Sequence, residues 1–319
     1  MTSGAGFIGS HLVKALVKAE HQVRVLDNLS TGSIENLTDV LNAIEVVRGD
    51  VRDYGAVEYA VGGVDAVVHL VALIDVAEAV EKPDLYFDVN VRGTYNVVKA
   101  SKNVSTFVFA SSSAVYGEPI RVPIPEDHPL MPKSPYAASK VSGEAFVQAF
   151  ANQYGFRPVI LRLFNVYGPK QSRAYAGVII EFIRRVSRGE QPIIFGDGEQ
   201  TGDFIHVSDV VEAIMLSLRN EGARGVFSIG NGEGVTINHL ARLILKLMGR
   251  EDSRPIYAPP RPGDIRHSIA DISRAQKELG FKPKLGLEVG INELIRHNVI
   301  RVEWGKSRLS PSIHVVRRV

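Results

Sequence analysis

The chain has 319 residues, 45% of them hydrophobic and 23% charged, with a formal net charge of +2, which excludes disordered and collagen-like classes. It has no cysteine, so it carries no disulfide, no cysteine nucleophile and no thiolate metal site, as suits a reducing cytoplasm. No apolar run reaches the length of a membrane span, and the charge balance argues against a nucleic-acid-binding surface.

Five short, β-branched runs in the first half are apolar on both faces, as strands buried in a parallel sheet are. They are Val23–Leu26, Ile44–Val47, Ala66–Leu70, Thr106–Ala110 and Pro158–Leu161. Segments with helical periodicity alternate with them, namely Ile8–Ala19, Tyr54–Val61, Pro83–Lys102 and Tyr136–Tyr154. This alternation predicts an α/β fold with a Rossmann-like, doubly wound parallel sheet that binds ligands at the carboxyl ends of its strands.

After about Asn165 strand-like runs become scarce and turn residues cluster. Helices are still indicated at Val178–Arg188, Ser208–Arg219, Ile237–Met248 and Ile272–Leu279. We therefore predict a sheet domain over residues 1–165, a smaller α/β lobe over 166–295 and a C-terminal tail over 296–319. The tail is basic, with six Lys or Arg and one Glu, which is typical of a solvated end.

The first strand is short in this sequence. Only Met1 and Thr2 precede a glycine loop that begins at Ser3, although such a loop follows a central strand of about five apolar residues. We expect either a start further upstream, which we favour, or a sheet that lacks most of its middle strand and packs poorly there.

The glycine loop Gly6-Phe7-Ile8-Gly9 opens the first predicted helix. Its free backbone N–H groups and the helix dipole suit a pyrophosphate, and glycine lets the phosphates approach the backbone. Asp27 ends the next strand, where a carboxylate can accept both adenosine ribose hydroxyls and repel a 2′-phosphate, so NAD is favoured over NADP. Asp50, followed by Val51, is placed to reach an adenine edge. A plain turn and strand-end caps are the alternative interpretations of these residues.

Tyr136 and Lys140 are spaced by four on a predicted helix and so share one face. An ammonium near a phenol, with a cationic nicotinamide nearby, lowers the phenol pKa, and the phenolate could take a proton from a sugar hydroxyl as hydride leaves the same carbon. Ser112 ends an earlier strand within three consecutive serines, and its hydroxyl could relay that proton. The Tyr-Lys spacing by itself is equally typical of a surface helix.

Five segments in consistent order resemble the motifs of the extended short-chain dehydrogenase/reductase family, and within it the NAD-dependent nucleotide-sugar epimerases of the UDP-glucose 4-epimerase type. They are Gly4–Gly9, Leu26–Ser30, Ala110–Gly117, Tyr136–Lys140 and Arg162–Pro169. The resemblance runs from residue 2 to about residue 295. It implies an enzyme that interconverts UDP-glucose and UDP-galactose by transient oxidation at C4, with the N-acetyl forms as an open extension.

Matched by position, the resemblance implies that Ser112 is the catalytic hydroxyl, with Ser113 as a less favoured neighbour, that Tyr136 is the base and that Lys140 modulates its pKa. The NAD-binding residues that it implies are Gly6, Phe7, Ile8, Gly9, Asp27, Asn28, Asp50, Val51, Leu70, Ala72, Asn90, Tyr136 and Lys140. The UDP-sugar-binding residues that it implies are Ser112, Tyr136, Asn165, Val178, Phe195, Arg261, Asp264 and Ser268. Arg261 is also favoured because a diphosphate needs fixed cationic donors; a surface arginine in a proline-rich turn is the alternative.

Three residues depart from the family pattern. Ser3 replaces the first glycine of the loop, where a side chain is expected to crowd the turn or the pyrophosphate. Gly202 stands where the family usually has an arginine that reaches the substrate diphosphate. Val71 occupies a position beside the cofactor that is usually alanine. The first two predict weaker binding and leave Ser112 and Tyr136 unaffected.

The residues after Ser112 separate the possible reactions. Within the resemblance, 4,6-dehydratases carry an Asp-Glu pair there to protonate a leaving hydroxyl, and UDP-glucuronate decarboxylases carry a Glu at the position of Ala114. Ser113 and Ala114 supply no carboxyl, which favours 4-epimerisation. An epimerase or decarboxylase of the UDP-glucuronate type, a heptose epimerase, and a non-enzymatic NAD-binding regulator stay open.

Two further expectations follow from the resemblance. The family pairs the helices 83–102 and 136–154 into an intermolecular four-helix bundle, so we predict a homodimer, with an apolar surface formed by Val89, Val91, Tyr95, Val97, Val98, Val141, Phe146, Val147 and Phe150. Ser268 is aligned with a pocket-wall position near the C2 substituent of the sugar, where a small residue makes room for an acetamido group. A solvent-facing strand residue is the alternative for Ser268.

Overall fold

The computed structural model describes residues 1–171, 177–261 and 265–305, of which residues 297–305 are described as backbone only. Its strands are β1 Val23–Asp27, β2 Ile44–Arg48, β3 Ala66–His69, β4 Thr106–Ser112, β5 Arg157–Leu163, β6 Asn165–Tyr167, β7 Ile193–Phe195, β8 Thr201–Gly202, β9 Phe204–His206, β10 Gly225–Ile229, β11 Val235–Thr236, β12 Ile256–Ala258 and β13 His267–Ser268. All five strands predicted in the first half are present, each within two residues of its expected bounds.

Its α-helices are α1 Phe7–Lys18, α2 Tyr54–Val61, α3 Val76–Glu81, α4 Pro83–Tyr86, α5 Gly93–Ala100, α6 Pro135–Tyr154, α7 Val178–Ser187, α8 Val207–Arg219, α9 Ile237–Leu247 and α10 Leu287–Gly305. A π-helical turn at Phe87–Arg92 joins α4 to α5, so the helix predicted over residues 83–102 is one helical stretch with a wider middle turn. A second π-helical turn is Ala275–Leu279, and 3₁₀ turns are Ile34–Ala43 and Ser113–Tyr116. The sequence prediction missed Ile34–Ala43 and α3.

The main sheet is parallel, as predicted. On one side β1 pairs with β2, and on the other the strand order is β10-β5-β4-β3. Apolar side chains on one face pack against α1 and α8, with Leu12, Val25 and Ile214 fully buried. The opposite face packs against α2, α5 and α6, with Phe107 and Val147 fully buried. Burial on both faces explains why these strands are continuous apolar runs in the sequence.

Thr2 lies between the two halves of this sheet. It forms parallel bridges with Leu26 of β1 and with His69 of β3, and its N–H donates to Val68 O at 3.0 Å. Beyond Met1, in the direction of the amino ends of the strands, there is a cavity of about 700 Å³ lined by residues such as Val23 and Val68. Thr2 thus takes the position of the central strand between β1 and β3.

The second lobe is built on short strand pairs, β6 with β9, β7 with β12, and β8 with both β11 and β13. Helices α7, α9 and α10 enclose its own apolar core. Between α7 and α9 the chain returns to the main sheet, where α8 packs on α1 and β10 pairs with β5. The two predicted regions are thus interleaved in sequence, and residues 207–229 belong with the sheet. The predicted tail 296–319 begins within α10, and its residues 306–319 lie outside the described part of the chain.

Candidate active site

A cavity of about 340 Å³ lies at the carboxyl ends of β3 and β4, beside the start of α1. This is the end of a parallel sheet at which ligands bind. Its lining includes Gly6, Phe7, Ile8, Gly9, Leu70, Ala72, Ser112, Tyr136 and Lys140, all of which the sequence predicted. The structure therefore brings the glycine loop and the three candidate catalytic side chains to one cavity.

The start of α1 is suited to an anionic ligand. Gly6 is its N-cap, and no side chain caps the first turn, so the backbone N–H groups there are available to a phosphate. A Cβ on Gly9 would overlap the backbone carbonyl of Ser3, so this close approach of loop and helix requires glycine. Ser3 adopts a left-handed conformation with φ 56°, and its hydroxyl lies where a side chain on Gly6 would be. The crowding expected from Ser3 is thus avoided, because residue 6 is glycine and leaves space for the Ser3 hydroxyl.

Asp27 is buried and fixes the glycine loop to the end of β1. Its carboxylate accepts the N–H of Ala5 at 2.9 Å and the N–H of Leu29 at 2.8 Å. Asp27 is therefore also the strand-end cap of the alternative interpretation, while each carboxylate oxygen keeps a second lone pair for a ribose hydroxyl. The adjacent Asn28 donates to Asp50 at 2.8 Å, and Arg52 holds the pKa of that carboxyl well below its ordinary range.

Asn90 lies behind the cavity rather than on its lining. Its side chain accepts the N–H of Leu73 and donates to the carbonyl of the same residue, both at 2.9 Å, and it donates to Ser139 at 3.0 Å. It thereby ties the segment after β3 to α6. Val51 is also buried away from the cavity, and its carbonyl accepts a hydrogen bond from Asn96.

Ser112, Tyr136 and Lys140 are held by β4 and α6. Ser134 caps α6 by accepting the N–H of Ala137, and Pro135 fixes its first turn, so Tyr136 and Lys140 are placed on the inner face. The Tyr136 side chain and Ser112 line the same cavity, and Ser112 is near enough to the phenol to act on its pKa. Ser113 does not line the cavity, which favours Ser112 as the reacting hydroxyl.

Burial governs the electrostatics of this group. It raises the pKa of Tyr136 above its ordinary value, and the nearby Ser112 acts in the opposite direction. Burial lowers the pKa of Lys140 to about 8, and its ammonium donates to Ala110 O at 2.7 Å. The lowering of the phenol pKa that the sequence predicts, by Lys140 together with a cationic nicotinamide, concerns the site with its cofactor and stays a prediction.

The residues present fit NAD. The glycine loop offers an uncapped helix start and a surface without Cβ atoms, and the cavity extends from there to Tyr136 and Lys140. Gln171 also lines the cavity, and among the described residues its buried side-chain oxygen has no hydrogen-bond partner, which suits a polar ligand. Within the described residues no group of three or more His, Asp or Glu is arranged to hold a metal ion.

Two predicted substrate residues, Asn165 and Ser268, lie together with Gly202 in the second lobe. The amide of Asn165 donates to Asp203 O at 2.9 Å, and Ser268 of β13 is the register partner of Gly202. A Cβ on Gly202 would come within 3.3 Å of the Asn165 amide and 3.0 Å of the Phe204 ring. Phe204 therefore occupies the space that a side chain at position 202 would need.

Phe195 and Arg261 form a separate pair in the same lobe, with the guanidinium 3.7 Å from the centre of the ring. Val178 begins α7 and is half-buried, and Asp264 lies outside the described residues. Like Asn165 and Ser268, the side chains of Phe195, Arg261 and Val178 do not line the 340 Å³ cavity with Ser112 and Tyr136.

Several cavity residues were not predicted. Thr31 precedes the 3₁₀ turn Ile34–Ala43, which the sequence prediction missed, and Asn36 lies within it. Lys170 and Gln171 follow β6. Lys170 has φ 68° and donates to Asn36 O at 2.9 Å, which joins the second lobe to the sheet domain over the cavity. The only signal for this loop in the sequence was its position after Gly168 and Pro169 in a family motif.

Comparison with known proteins places these observations in a family. The sequence profile of the NAD-dependent epimerase/dehydratase family matches residues 1–230. A UDP-glucose 4-epimerase of Mycolicibacterium smegmatis is 37% identical over 302 residues, covering 92% of this chain and 96% of that protein. The structure of a UDP-glucose 4-epimerase of Thermotoga maritima with UDP-glucose superposes with a TM-score of 0.89 at 38% identity, covering 94% of this chain and 98% of that one.

Other similar proteins define the range of related activities. A UDP-N-acetylglucosamine 4-epimerase of Methanobrevibacter ruminantium, in complex with UDP-N-acetylmuramic acid, has a TM-score of 0.89 at 38% identity and covers 94% of this chain and 97% of its own. The UDP-glucose 4-epimerase of Thermus thermophilus was solved with NAD. A dTDP-glucose 4,6-dehydratase of Streptomyces niveus is 33% identical, and a UDP-glucuronic acid decarboxylase of Arabidopsis thaliana is 31% identical. In the described part of this chain no helix is long and apolar enough to cross a membrane.

Proposed function

Because the chain belongs to the NAD-dependent epimerase/dehydratase family, we propose that it is a UDP-sugar 4-epimerase that interconverts UDP-glucose and UDP-galactose. The proposal extends to the N-acetyl forms of these sugars, which the half-buried serine at position 268 supports. A chain without cysteine suits the reducing cytoplasm, where we place the reaction.

The observation that carries the proposal is the absence of a carboxylate from the described lining of the cavity. Elimination of water across C5 and C6 needs an acid to protonate the leaving hydroxyl. The positions after Ser112 are Ser113 and Ala114, which cannot do this. The hydroxyl, phenol and ammonium groups that are present suffice to move one proton to and from a sugar oxygen. Reversal of configuration at C4 requires no acid or base beyond these three groups.

In the proposed mechanism Tyr136 takes the proton of the C4 hydroxyl, while Ser112 binds the same oxygen and keeps it in place. NAD held by the glycine loop would supply the acceptor and donor of the C4 hydride, which the 4-keto sugar would take back on its other face. Lys140 binds the nicotinamide ribose through its ammonium. When the sugar is reduced again, Tyr136 gives the proton back, so no net proton is consumed.

The binding roles of the remaining residues follow from where they lie. We propose that the start of α1, with Gly6 and Gly9, holds the pyrophosphate, and that Asp27 accepts the adenosine ribose hydroxyls. Asn165 and Arg261 would hold the diphosphate of the UDP-sugar in the second lobe. Since neither of them lines the cavity with Ser112, the sugar nucleotide would extend from that cavity into the second lobe.

The test of the proposed function is turnover without added reductant. Purified protein supplied with NAD is expected to convert UDP-galactose to UDP-glucose, followed by NMR over a panel of UDP- and dTDP-sugars. A 4-keto-6-deoxy product would establish a dehydratase, and release of carbon dioxide from UDP-glucuronate would establish a decarboxylase. Tight NAD binding without turnover of any sugar would support the non-enzymatic regulator.

The cofactor preference gives one prediction. We expect the dissociation constant of NADP to exceed that of NAD by about tenfold or more, which is about 1.4 kcal/mol, because a 2′-phosphate would meet the carboxylate of Asp27. Titration calorimetry with both dinucleotides measures this difference. Equal constants would show that Asp27 acts only as the clamp on Ala5 and Leu29.

The homodimer is a second prediction. Tyr95 of α5 is 36% exposed and packs edge-on against Phe146 and Phe150 of α6, so these helices present an aromatic surface. Of the residues predicted for this surface, Val97, Val98 and Val147 are buried in the core of the sheet domain and make the contact with the sheet. What remains partly exposed includes Val89, Val91, Tyr95, Phe146 and Phe150.

Light scattering at micromolar concentration is expected to give twice the chain mass of 34.9 kDa. Tyr95→Asp places a charge in the proposed interface and is expected to give the monomer. Tyr257→Asp is the matched control, since Tyr257 is 55% exposed on β12 in the second lobe. A wild-type protein of monomer mass would contradict the proposal.

A further inference from the structure

Glu144 is a buried carboxylate that the proposed reaction does not use. It is 2% exposed and follows Tyr136 and Lys140 on α6 at a spacing of four, so the three side chains lie on one face of the helix. It does not line the cavity. A carboxylate is costly to bury unless it is paired and hydrogen-bonded, so its partners indicate what it is for.

The carboxylate of Glu144 joins α6 to two strands of the sheet. One oxygen accepts the Ser111 hydroxyl at 2.5 Å and Nε of Arg162 at 2.9 Å, and the other accepts Nη2 of Arg162 at 2.7 Å. Ser111 and Arg162 are register partners on β4 and β5. Ser111 directly precedes Ser112, and Ala110 O accepts the Lys140 ammonium. The cluster Glu144–Arg162–Ser111 therefore lies directly behind the reacting groups.

Arg162 is held so that its pairing with Glu144 is fixed. Its Nη1 donates to Glu126 O at 2.9 Å, and its guanidinium lies 4.8 Å from the centre of the Tyr116 ring. The two side chains of the pair are 5% and 3% exposed. Because the pair is buried, the two hydrogen bonds between Glu144 and Arg162 fix the orientation of both side chains, and water does not screen their charges.

The titratable groups near Lys140 are Tyr136 and Glu144 on α6 and His69 on β3, and Glu144 is itself paired with Arg162 of β5. Burial lowers the pKa of His69 to about 3, so this side chain is neutral, and burial raises the pKa of Tyr136, so the phenol is neutral as well. Glu144 is the anion whose field favours the charged form of Lys140, against the burial that lowers its pKa to about 8.

We propose that Glu144 is a positioning residue that keeps the ammonium of Lys140 charged and in register with Ser112, and that Arg162 and Ser111 fix it for this purpose. The proposal rests on the proposed function only through the contact between Lys140 and the cofactor ribose. Without the carboxylate, Lys140 would lose its proton at a lower pH and with it part of its grip on NAD.

Glu144→Gln tests the proposal, because it keeps the shape of the side chain and removes its charge. We would measure the dissociation constant of NAD by calorimetry from about pH 6 to pH 10, the range around the ordinary lysine value. Since the charged form of Lys140 binds, wild-type affinity is expected to fall as the pH rises through the pKa of Lys140. In the variant this fall is expected at a pH lower by about one unit.

Two further variants separate this role from a purely structural one. Glu144→Gln leaves the Arg162 guanidinium buried and unpaired, so Glu144→Gln/Arg162→Met removes both charges and carries the test if the single variant does not fold. The proposal expects the lower midpoint in the double variant also, whereas a structural role expects the wild-type midpoint to return. Ser111→Ala keeps both charges and removes only one hydrogen bond of Glu144, so it is expected to shift the midpoint by less than Glu144→Gln does.

A midpoint in both charge variants equal to that of the wild type would overturn the proposal. Circular dichroism melting of each variant provides the check that it is folded. The titration contains no sugar, so its result does not depend on which UDP-sugar is turned over. A shifted midpoint in a protein that epimerises nothing would remove the proposed function and leave the role of Glu144 intact.

Discussion

Replacing Tyr136 by phenylalanine is expected to lower kcat by roughly 10²–10⁴-fold, the usual contribution of a positioned general base. The ring is buried and α6 is capped by Ser134, so the variant should fold as the wild type does. Only the phenol hydroxyl, which lies near Ser112, is lost. The measurement is the rate of UDP-galactose conversion by NMR together with NAD content from the absorbance spectrum.

The matched control is Tyr116→Phe, which removes a buried hydroxyl of the same kind at a different place. Tyr116 contacts Ser228 at 3.0 Å and does not line the cavity. Its loss is expected to change stability by about 1 kcal/mol and kcat by only a few-fold. Near-normal turnover of Tyr136→Phe, or an equal loss in both variants, would show that Tyr136 is not the base.

The pH dependence of turnover follows from the protonation states that Tyr136 and Lys140 need. Tyr136 must lose its proton to act, and burial holds its pKa above the ordinary value in the protein alone. Turnover should therefore rise with pH as Tyr136 loses its proton and fall as Lys140, with a pKa of about 8, loses its charge, so a bell-shaped profile requires bound NAD to lower the pKa of Tyr136 below that of Lys140. A bound cationic nicotinamide lowers both pKa values, because it stabilises the phenolate and disfavours a second cation nearby. The acid limb of the observed profile therefore reports the enzyme with NAD bound.

The sheet and its ligand-binding end could be predicted from the sequence because a parallel strand that is buried on both faces is a continuous apolar run. Runs such as Val23–Leu26 and Thr106–Ala110 are apolar throughout, and each appears as a strand. The return of the chain to the sheet at β10 could not be predicted in this way. Gly225–Ile229 is a short run among turn residues, and only its pairing with β5 shows that it belongs to the sheet.

The candidate site was predictable where it depends on local spacing and not where it depends on register. Tyr136 and Lys140 share a face because they are four apart, whatever surrounds the helix. Arg162 and Glu144 are 18 residues apart, and they meet because β5 pairs with β4 beneath α6. The sequence supplied the motif that contains Arg162 but no indication of its partner.

Ser268 carries the second prediction of large effect. Ser268 and Gly202 are register partners, so their side-chain positions lie on the same face of the small sheet. That face is turned toward Asn165, since a Cβ on Gly202 would approach the Asn165 amide. This placement is the basis for proposing a pocket position for Ser268, and because the Phe204 ring fills the space beside Gly202, the room for an acetamido group depends on the small side chain of Ser268 itself.

Ser268→Tyr is accordingly expected to lower kcat/KM for UDP-N-acetylglucosamine by roughly 10²-fold relative to UDP-glucose, because the ring would occupy the space that the acetamido group needs. Ser268→Ala adds no bulk and is expected to keep the ratio of the two sugars within a few-fold of the wild type. The ratio is measured by progress curves with both sugar pairs. Since a fold defect lowers both activities together, a changed ratio can come only from the pocket, and an unchanged ratio in the tyrosine variant would place Ser268 outside it.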